Sequence, residues 1–326
     1  MYDGFMSDGP PAIVPLVMPF GDVGFASAPP ALASVTQQSP RWSDALCGGT
    51  FDEPEITIVG GLGSNVVITS RDGEVWTDVA TSGRGLRCYL RDGDTVWLCG
   101  EYGTLYRASR DLSKLERVSL NKVSGCMYAM AKADGVLYVG GDAGFMVRSL
   151  DGDTFEPVEG FTGSVHKMTH STRGLLVPTG KGMFVIRGPG ARPERLGLDA
   201  GVNHSCITRS GAIVAVGDGN TVFRSTDHGT TFTPSRVPPF AATKAKSAGE
   251  RPSWLGDSQD LNVIAELADG RLVVAGDKGV ILYSSDGGIS FERLEHDQTG
   301  GSIWGIATHK GKAYLAGENR TVLRVG

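Results

Sequence analysis

The stretch LVVAGDKGVILYSSDGGISF, residues 272–291, decides the fold. Two apolar runs, LVVAG and VILYS, flank the tight turn GDKG; Ser284-x-Asp286-x-Gly288-x-x-Phe291 then leads into a further short strand. Short apolar runs bounded by Gly, Asp and Ser are a strand–turn–strand pattern. The glycine that closes LVVAG has counterparts along the chain: Gly61, Gly100, Gly141, Gly180, Gly217, Gly276 and Gly317, spaced 39, 41, 39, 37, 59 and 41 residues apart. The one long interval is an ordinary period plus about 20 residues, and the excess falls in 237–260, a Pro-, Ala- and Ser-rich stretch that reads as an inserted loop.

Each of these seven units holds four β-prone runs, here named A to D. In the third they are CMYAMA (126–131), VLYVG (136–140), FMVRS (145–149) and TFEPV (154–158). No stretch of amphipathic helical period reaches a dozen residues. Four antiparallel strands per unit of about 40 residues make a propeller blade. A blade cannot bury its own faces, so the expected fold is an all-β, seven-bladed β-propeller over 31–326. The seventh unit has A (302–308), B (312–317) and C (321–325) runs but no D. The segment ALASVTQQ (31–38) resembles the D pieces FTPSRVPP and FERLEHDQ, so 31–38 is predicted to complete the last blade and cover its edge.

Composition bounds the function. The 326 residues are 40% hydrophobic and carry a net charge of −5, with no long basic cluster, so no nucleic-acid partner is expected. No apolar run reaches the length of a membrane span. Residues 1–30 contain no Lys or Arg, and Pro10, Pro11, Pro15 and Pro19 interrupt any apolar signal core. A secretory signal is therefore not expected, and a cytoplasmic location is. The segment 1–30 reads as a solvated tail or as a docking arm. The apolar run with Ile13, Val14, Leu16, Val17, Met18 and Phe20 favours the arm, because Pro-spaced apolar segments are extended and suit grooves or sheet edges. The five cysteines include no C-x-x-C. They read as buried free thiols in a reducing compartment, with a Cys88–Cys99 disulfide as the alternative.

Two turn classes and one strand position carry the remaining signal. The C–D turns 225–232 and 284–291 resemble Asp-boxes, also called BNR repeats, and 70–76 and 149–155 are versions one residue shorter. Their Asp72, Asp151, Asp227 and Asp286 read as structural, each carboxylate accepting backbone N–H bonds across its own turn. A partial copy stands at 109–111, and blade four has lost the box. The B–C turns pair glycine with an acid at 100–101, 141–142, 217–218, 276–277 and 317–318. These acids are expected to cap their own turns; separate blades do not bring enough oxygens together for a cation. Chain direction puts the Asp-boxes on the face opposite the starts of the A strands. At those starts stand Arg87, Tyr128, Lys167, His204, Val263 and Trp304, and one residue earlier His166, Asn203 and Asn262, varied in type and expected to line an axial binding mouth. The loop 237–260, with Lys244, Lys246, Arg251 and Trp254, projects from the same face.

The Asp-boxes resemble those of sialidases, which gather several Arg on a substrate carboxylate; here Arg87 stands alone at the A-strand starts. His166 and His170, four apart on a strand, lie about 13 Å apart, too far for one metal. No catalytic residue, metal or cofactor is expected. The phrase V-G-G-D-x-G-x-[hydrophobic]-x-x-S-x-D-G-x-x-[WF] resembles the photosystem II stability/assembly-factor-like family, within the wider WD40/YVTN/BNR-like group of propellers. The resemblance spans 31–326. It implies a non-catalytic protein–protein interaction scaffold that assists assembly of a larger, bacterial complex; the alternative is a carbohydrate-binding or sialidase-like propeller. The chain departs from the photosystem factors in lacking their export signal and a dense Arg patch.

Overall fold

The computed structural model describes residues 13–15, 45–52, 55–61, 66–71, 77–81, 85–120, 123, 125–241, 259–296, 298–318 and 321–326. The described strands form seven four-stranded sheets, every pairing antiparallel and, with one exception, between neighbours in sequence. Blade three is typical: Met127–Ala133, Val136–Gly141, Met146–Ser149 and Glu156–Pro157 pair in that order. The architecture is an all-β propeller. Six blades are described through their side chains. The sheet of Ala45–Asp52, Glu55–Gly61, Val66–Ser70 and Thr77–Thr81 is described mainly through its backbone. Its first strand lies against the first strands of both flanking blades, Leu86–Asp92 and Ile303–His309.

The B strands explain the sequence pattern. Val136–Gly141, Ile213–Gly217 and Leu272–Gly276 are buried at every position. Both their faces are covered by neighbouring blades, so they read as continuous apolar runs rather than alternating ones. The core is accordingly a series of layers between blades. Val263, Val273 and Ile281 of blade six pack on Ile306, Leu315 and Leu323 of blade seven, and Tyr138 and Met146 of blade three pack on Val177 and Phe184 of blade four.

The exception in pairing closes the last blade. Ile13–Pro15 lies antiparallel on Val322–Val325, with Ile13 opposite Val325 and Pro15 opposite Leu323. The outer position expected for 31–38 is thus taken by a piece of the 1–30 segment, and 31–38 lies outside the described residues. The physical reason is the shortness of D strands. In blades three to six they are two residues long, so almost any extended tripeptide satisfies the edge, and Pro15 suits an outermost strand. Ile13 and Val14, from the segment read as a tail or a docking arm, pair here with the chain's own sheet.

Removing residues 1–15 uncovers the edge at 322–325. The expected outcome is faster hydrogen exchange of those amides and a thermal midpoint lower by roughly 2–4 °C. Replacing 31–38 with a Gly/Ser stretch leaves that exchange unchanged. The opposite pattern would return the closing strand to 31–38.

Candidate binding mouth

A repeated backbone device builds the mouth. In blade three the Asp142 N–H donates to the Cys126 carbonyl at 2.9 Å, and the Asp142 carboxylate accepts the Cys126 N–H at 2.7 Å. The acid of the B–C turn therefore grips the residue that leads into the A strand of its own blade. The same backbone bond joins Glu101 to Gly85, Asp218 to Gly201, Asp277 to Asp260 and Glu318 to Ser302. The carboxylate bond recurs from Asp260 N–H to Asp277 at 3.2 Å and from Ser302 N–H to Glu318 at 2.8 Å. These acids do not confine themselves to their own turns, as the sequence suggested; they reach across to the inner strand. The preceding glycine follows from the same geometry. A Cβ on Gly141 would stand 2.1 Å from the Cys126 carbonyl, and on Gly217 1.9 Å from that of Gly201.

Two residues past each gripped position the A strand bulges. The register slips between Leu86 and Cys88, Met127 and Ala129, Val202 and His204, Leu261 and Val263, and Ile303 and Gly305. The extra residues are Arg87, Tyr128, Asn203, Asn262 and Trp304. A bulge leaves one residue out of the ladder and re-aims its side chain. The residue before each of them, Leu86, Met127, Val202, Leu261 or Ile303, is fully buried and anchors the bulge from beneath.

The bulged side chains and their neighbours meet around the axis. Arg87 pairs with Glu101 at 3.3 Å and sits 6.0 Å from the Tyr128 ring. Tyr128 donates its hydroxyl to Asp142 at 2.6 Å and stacks on His166 at 5.9 Å. Asn203 and Asn262 each donate to the next blade, to the Leu261 and Ile303 carbonyls, both at 3.1 Å. The Lys167 ammonium donates to the Trp304 carbonyl at 2.6 Å. Blades four and seven are not neighbours, so this bond crosses the axial opening.

Burial, helped by the Lys167 charge, pushes the pKa of His166 down to about 4 and that of His204 to about 3. His204 is also an inter-blade tie, its Nδ1 accepting the Ile264 N–H at 3.1 Å. Burial, and then the bond to Asp142, raises the Tyr128 phenol. These groups are neutral at neutral pH; Tyr128 and His204 are hydrogen-bonded, and the His166 ring is stacked on Tyr128. Arg87, Tyr128 and His166 thus lie in contact, Lys167 and Trp304 meet across the opening, and His204 serves the framework. Asn203 and Asn262, read in the sequence one residue before His204 and Val263, are the bulged residues of blades five and six. Tyr102, 62% exposed on the blade-two turn beside Glu101 and held at φ +55°, was passed over as a site residue. Its signal was a bulky aromatic in a turn position filled elsewhere by Ala143 and Lys278. Arg251, Trp254, Leu16, Val17, Met18 and Phe20 lie outside the described residues, as does Asp72.

On the opposite face the Asp-box carboxylates are occupied by their own turns. Asp151 accepts the Asp153 and Thr154 N–H groups at 2.9 and 2.8 Å, Asp227 that of Thr231 at 2.9 Å, and Asp286 those of Ile289 and Ser290 at 3.0 and 2.9 Å. These turn bonds hold Asp151 at a pKa of about 2; for Asp227 the Thr231 hydroxyl and N–H do the same. Cys88, Cys99, Cys126 and Cys206 are free thiols, with Cys88 and Cys99 directly opposite in register. Among the described residues no group of three His, Cys, Asp or Glu gathers as a metal site, and no helix is long and apolar enough to cross a membrane.

Two outcomes follow from the mouth. His166 and His204 have folded pKa values below the unfolded value near 6.5, so the stability of their neutral forms is complete above that pH. It is lost as pH falls from about 6.5 toward 4, by about 3 kcal/mol for His166. Urea unfolding across that window shows the decline, and His166→Phe flattens its share; an unchanged slope would refute burial of the neutral ring. Asp142→Ala strips the acceptor from both Cys126 N–H and Tyr128 Oη and costs about 2–4 kcal/mol, read from the unfolding midpoint.

No protein-family model matches the sequence, and no curated protein matches it. Solved structures do. The chain is similar to YCF48 bound to D1 peptide, with a TM-score of 0.65 and 15% identity over 97% of both chains. It is similar to virginiamycin B lyase from Staphylococcus aureus at TM-score 0.69 and 14% identity, over 87% of this chain and 95% of the lyase. The WD40 β-propeller domain of Doa1 superposes at TM-score 0.65 with 14% identity, over 88% and 96% of the two chains. Likeness at this identity, to YCF48, a lyase and a WD40 domain together, establishes the β-propeller fold.

Proposed function

We propose that the chain is a non-catalytic, seven-bladed scaffold that binds a protein segment at the axial mouth. The sheet of residues 45–81 counts as the remaining blade, since it lies between blades two and seven. The observation that carries the reading is the repeated bulge: one framework presents Arg87, Tyr128, Asn203, Asn262 and Trp304 at equivalent points around one opening. Varied side chains on a constant frame provide many weak, specific contacts, with aromatics and arginine as anchors. The likeness to YCF48 bound to D1 peptide supports a peptide-like ligand and a role as an accessory factor of a larger complex. A sialidase-like reading requires several convergent arginines. Among the described mouth residues Arg87 is the one arginine, and its charge is met by Glu101.

A photo-crosslinking residue placed at Trp304 tests the proposal in the source cell, with one at the exposed Arg173 as control. One discrete protein captured from position 304 and not from 173 is the expected result. Capture of nothing, together with glycan binding or turnover that Arg87→Ala abolishes, would replace the scaffold by the carbohydrate reading.

A further inference from the structure

The face opposite the mouth carries a second repeated device, and one blade lacks half of it. Strand C places an arginine opposite the residue three before the alignment glycine: Arg107 opposite Trp97, Arg148 opposite Tyr138, Arg224 opposite Val214. Arg107 makes two ion pairs. Its Nη2 reaches Glu116 of its own D strand at 3.4 Å, and its Nη1 reaches Asp153, in the Asp-box loop of the next blade, at 2.7 Å. Arg224 likewise donates to the next blade's box, at the Gly287 carbonyl, 2.9 Å away. These loops clasp the blade before them; a Cβ on Gly152 would stand 2.8 Å from the Trp97 ring.

Arg148 repeats the first bond and not the second. Its Nη2 meets Glu156 of its own D strand at 3.4 Å. The following blade has no Asp-box; its C–D turn is GPGA, residues 188–191. A Cβ built on Gly190 would lie 4.0 Å from Arg148 Nη1. The filled copy has the same spacing, 3.9 Å from a Cβ on Gly152 to Arg107 Nη1, but Ala191 follows Gly190 where Asp153 follows Gly152. Beside that turn there is a groove of about 480 Å³, bounded by Arg148, Leu150, Asp151, Glu156, Pro189 and Gly190. Leu150 stands on its rim, 79% exposed.

We propose that this groove receives an aspartate-bearing turn of a partner protein, which brings Arg148 the carboxylate that Asp153 brings to Arg107 and that the GPGA turn lacks. The chemistry is given by the filled copy of the site. Arg107 holds Asp153 although Glu116 already touches the same guanidinium, so Glu156 beside Arg148 does not bar an acidic guest. Asp151 is turned to its own loop by Ser149, Asp153 and Thr154, which leaves Arg148 Nη1 as the donor facing the groove. An apolar side chain flanking the guest's aspartate covers Leu150. Charge-assisted bonds to a guanidinium supply the selectivity for carboxylate over amide. The site is independent of the mouth, being on the other face and built from other strands.

The test uses the full chain and a cyclised peptide of its own blade-three box, SLDGDTF, whose second aspartate is the partner of Arg107. Titration calorimetry is expected to give saturable binding, weakened about tenfold or more by Arg148→Glu and by Asn at that aspartate of the peptide. A chain with 188–191 exchanged for the blade-three box, which carries that aspartate, supplies Arg148 from within; it is expected to keep its circular dichroism and thermal midpoint and to lose the peptide. Absence of binding, equal binding by Arg148→Glu, or saturation of the exchanged chain would overturn the proposal. Self-association removed by Arg148→Glu without peptide binding would also overturn it, by assigning the groove to a second copy.

Discussion

The grip of the B–C turn acid on the start of the A strand is the interaction on which the mouth depends. It satisfies an N–H and a C=O at the point where the chain turns from the rim toward the axis, where neither has a ladder partner. With that point pinned, and the next residue buried beneath it, the strand has one residue too many for its partner, and the surplus goes outward as a bulge. Constant backbone chemistry thus produces a variable side-chain surface. In blades two, three, five and six the acid also touches the bulged side chain itself, through Arg87, Tyr128, Asn203 and Asn262. Surface and frame are fixed by the same carboxylate.

Blade four shows what happens without it. Gly180 is followed by Lys181 rather than an acid, and the nearest atom to a Cβ there is 3.7 Å away. Its inner strand, Thr169–Ser171, is three residues long, and Val165 meets Thr179 through an isolated bridge. The same blade lacks the Asp-box on the other face. Each half of the repeat unit is therefore held by its own turn chemistry. Where both turns have changed, the inner and outer rims carry the side chains that differ most from the rest, Lys167 at the mouth and the open groove beside Arg148.

Much of this was legible in the sequence. Five of the alignment glycines, Gly100, Gly141, Gly217, Gly276 and Gly317, could be found because a Cβ is sterically excluded there, and the Asp-boxes because a carboxylate must sit two residues after its serine. The A-strand starts were legible at two adjacent positions rather than at one. Counting back a fixed distance from the glycine reaches Arg87 and Tyr128 but lands on His204 and Val263, with the bulged Asn203 and Asn262 one residue earlier. A bulge adds a residue without leaving a compositional mark, and turn length shifts by one between blades. The closing strand was misplaced for a related reason. An outer strand of two or three residues needs only extended backbone on its neighbour, which Ile13–Pro15 supplies as readily as any D-like piece. Pairings between blades, such as Arg107 with Asp153, depend on which blade follows which and have no local signature at all.

The bond from Lys167 to the Trp304 carbonyl has a mechanical consequence. A ring of wedges joined only to their neighbours resists stretching but deforms easily into an ellipse, one diameter lengthening as another shortens. A tie across the opening acts as a spoke against that deformation. It also couples blades four and seven: a shift of either inner strand pulls directly on the other across the opening, without passing through the blades between them.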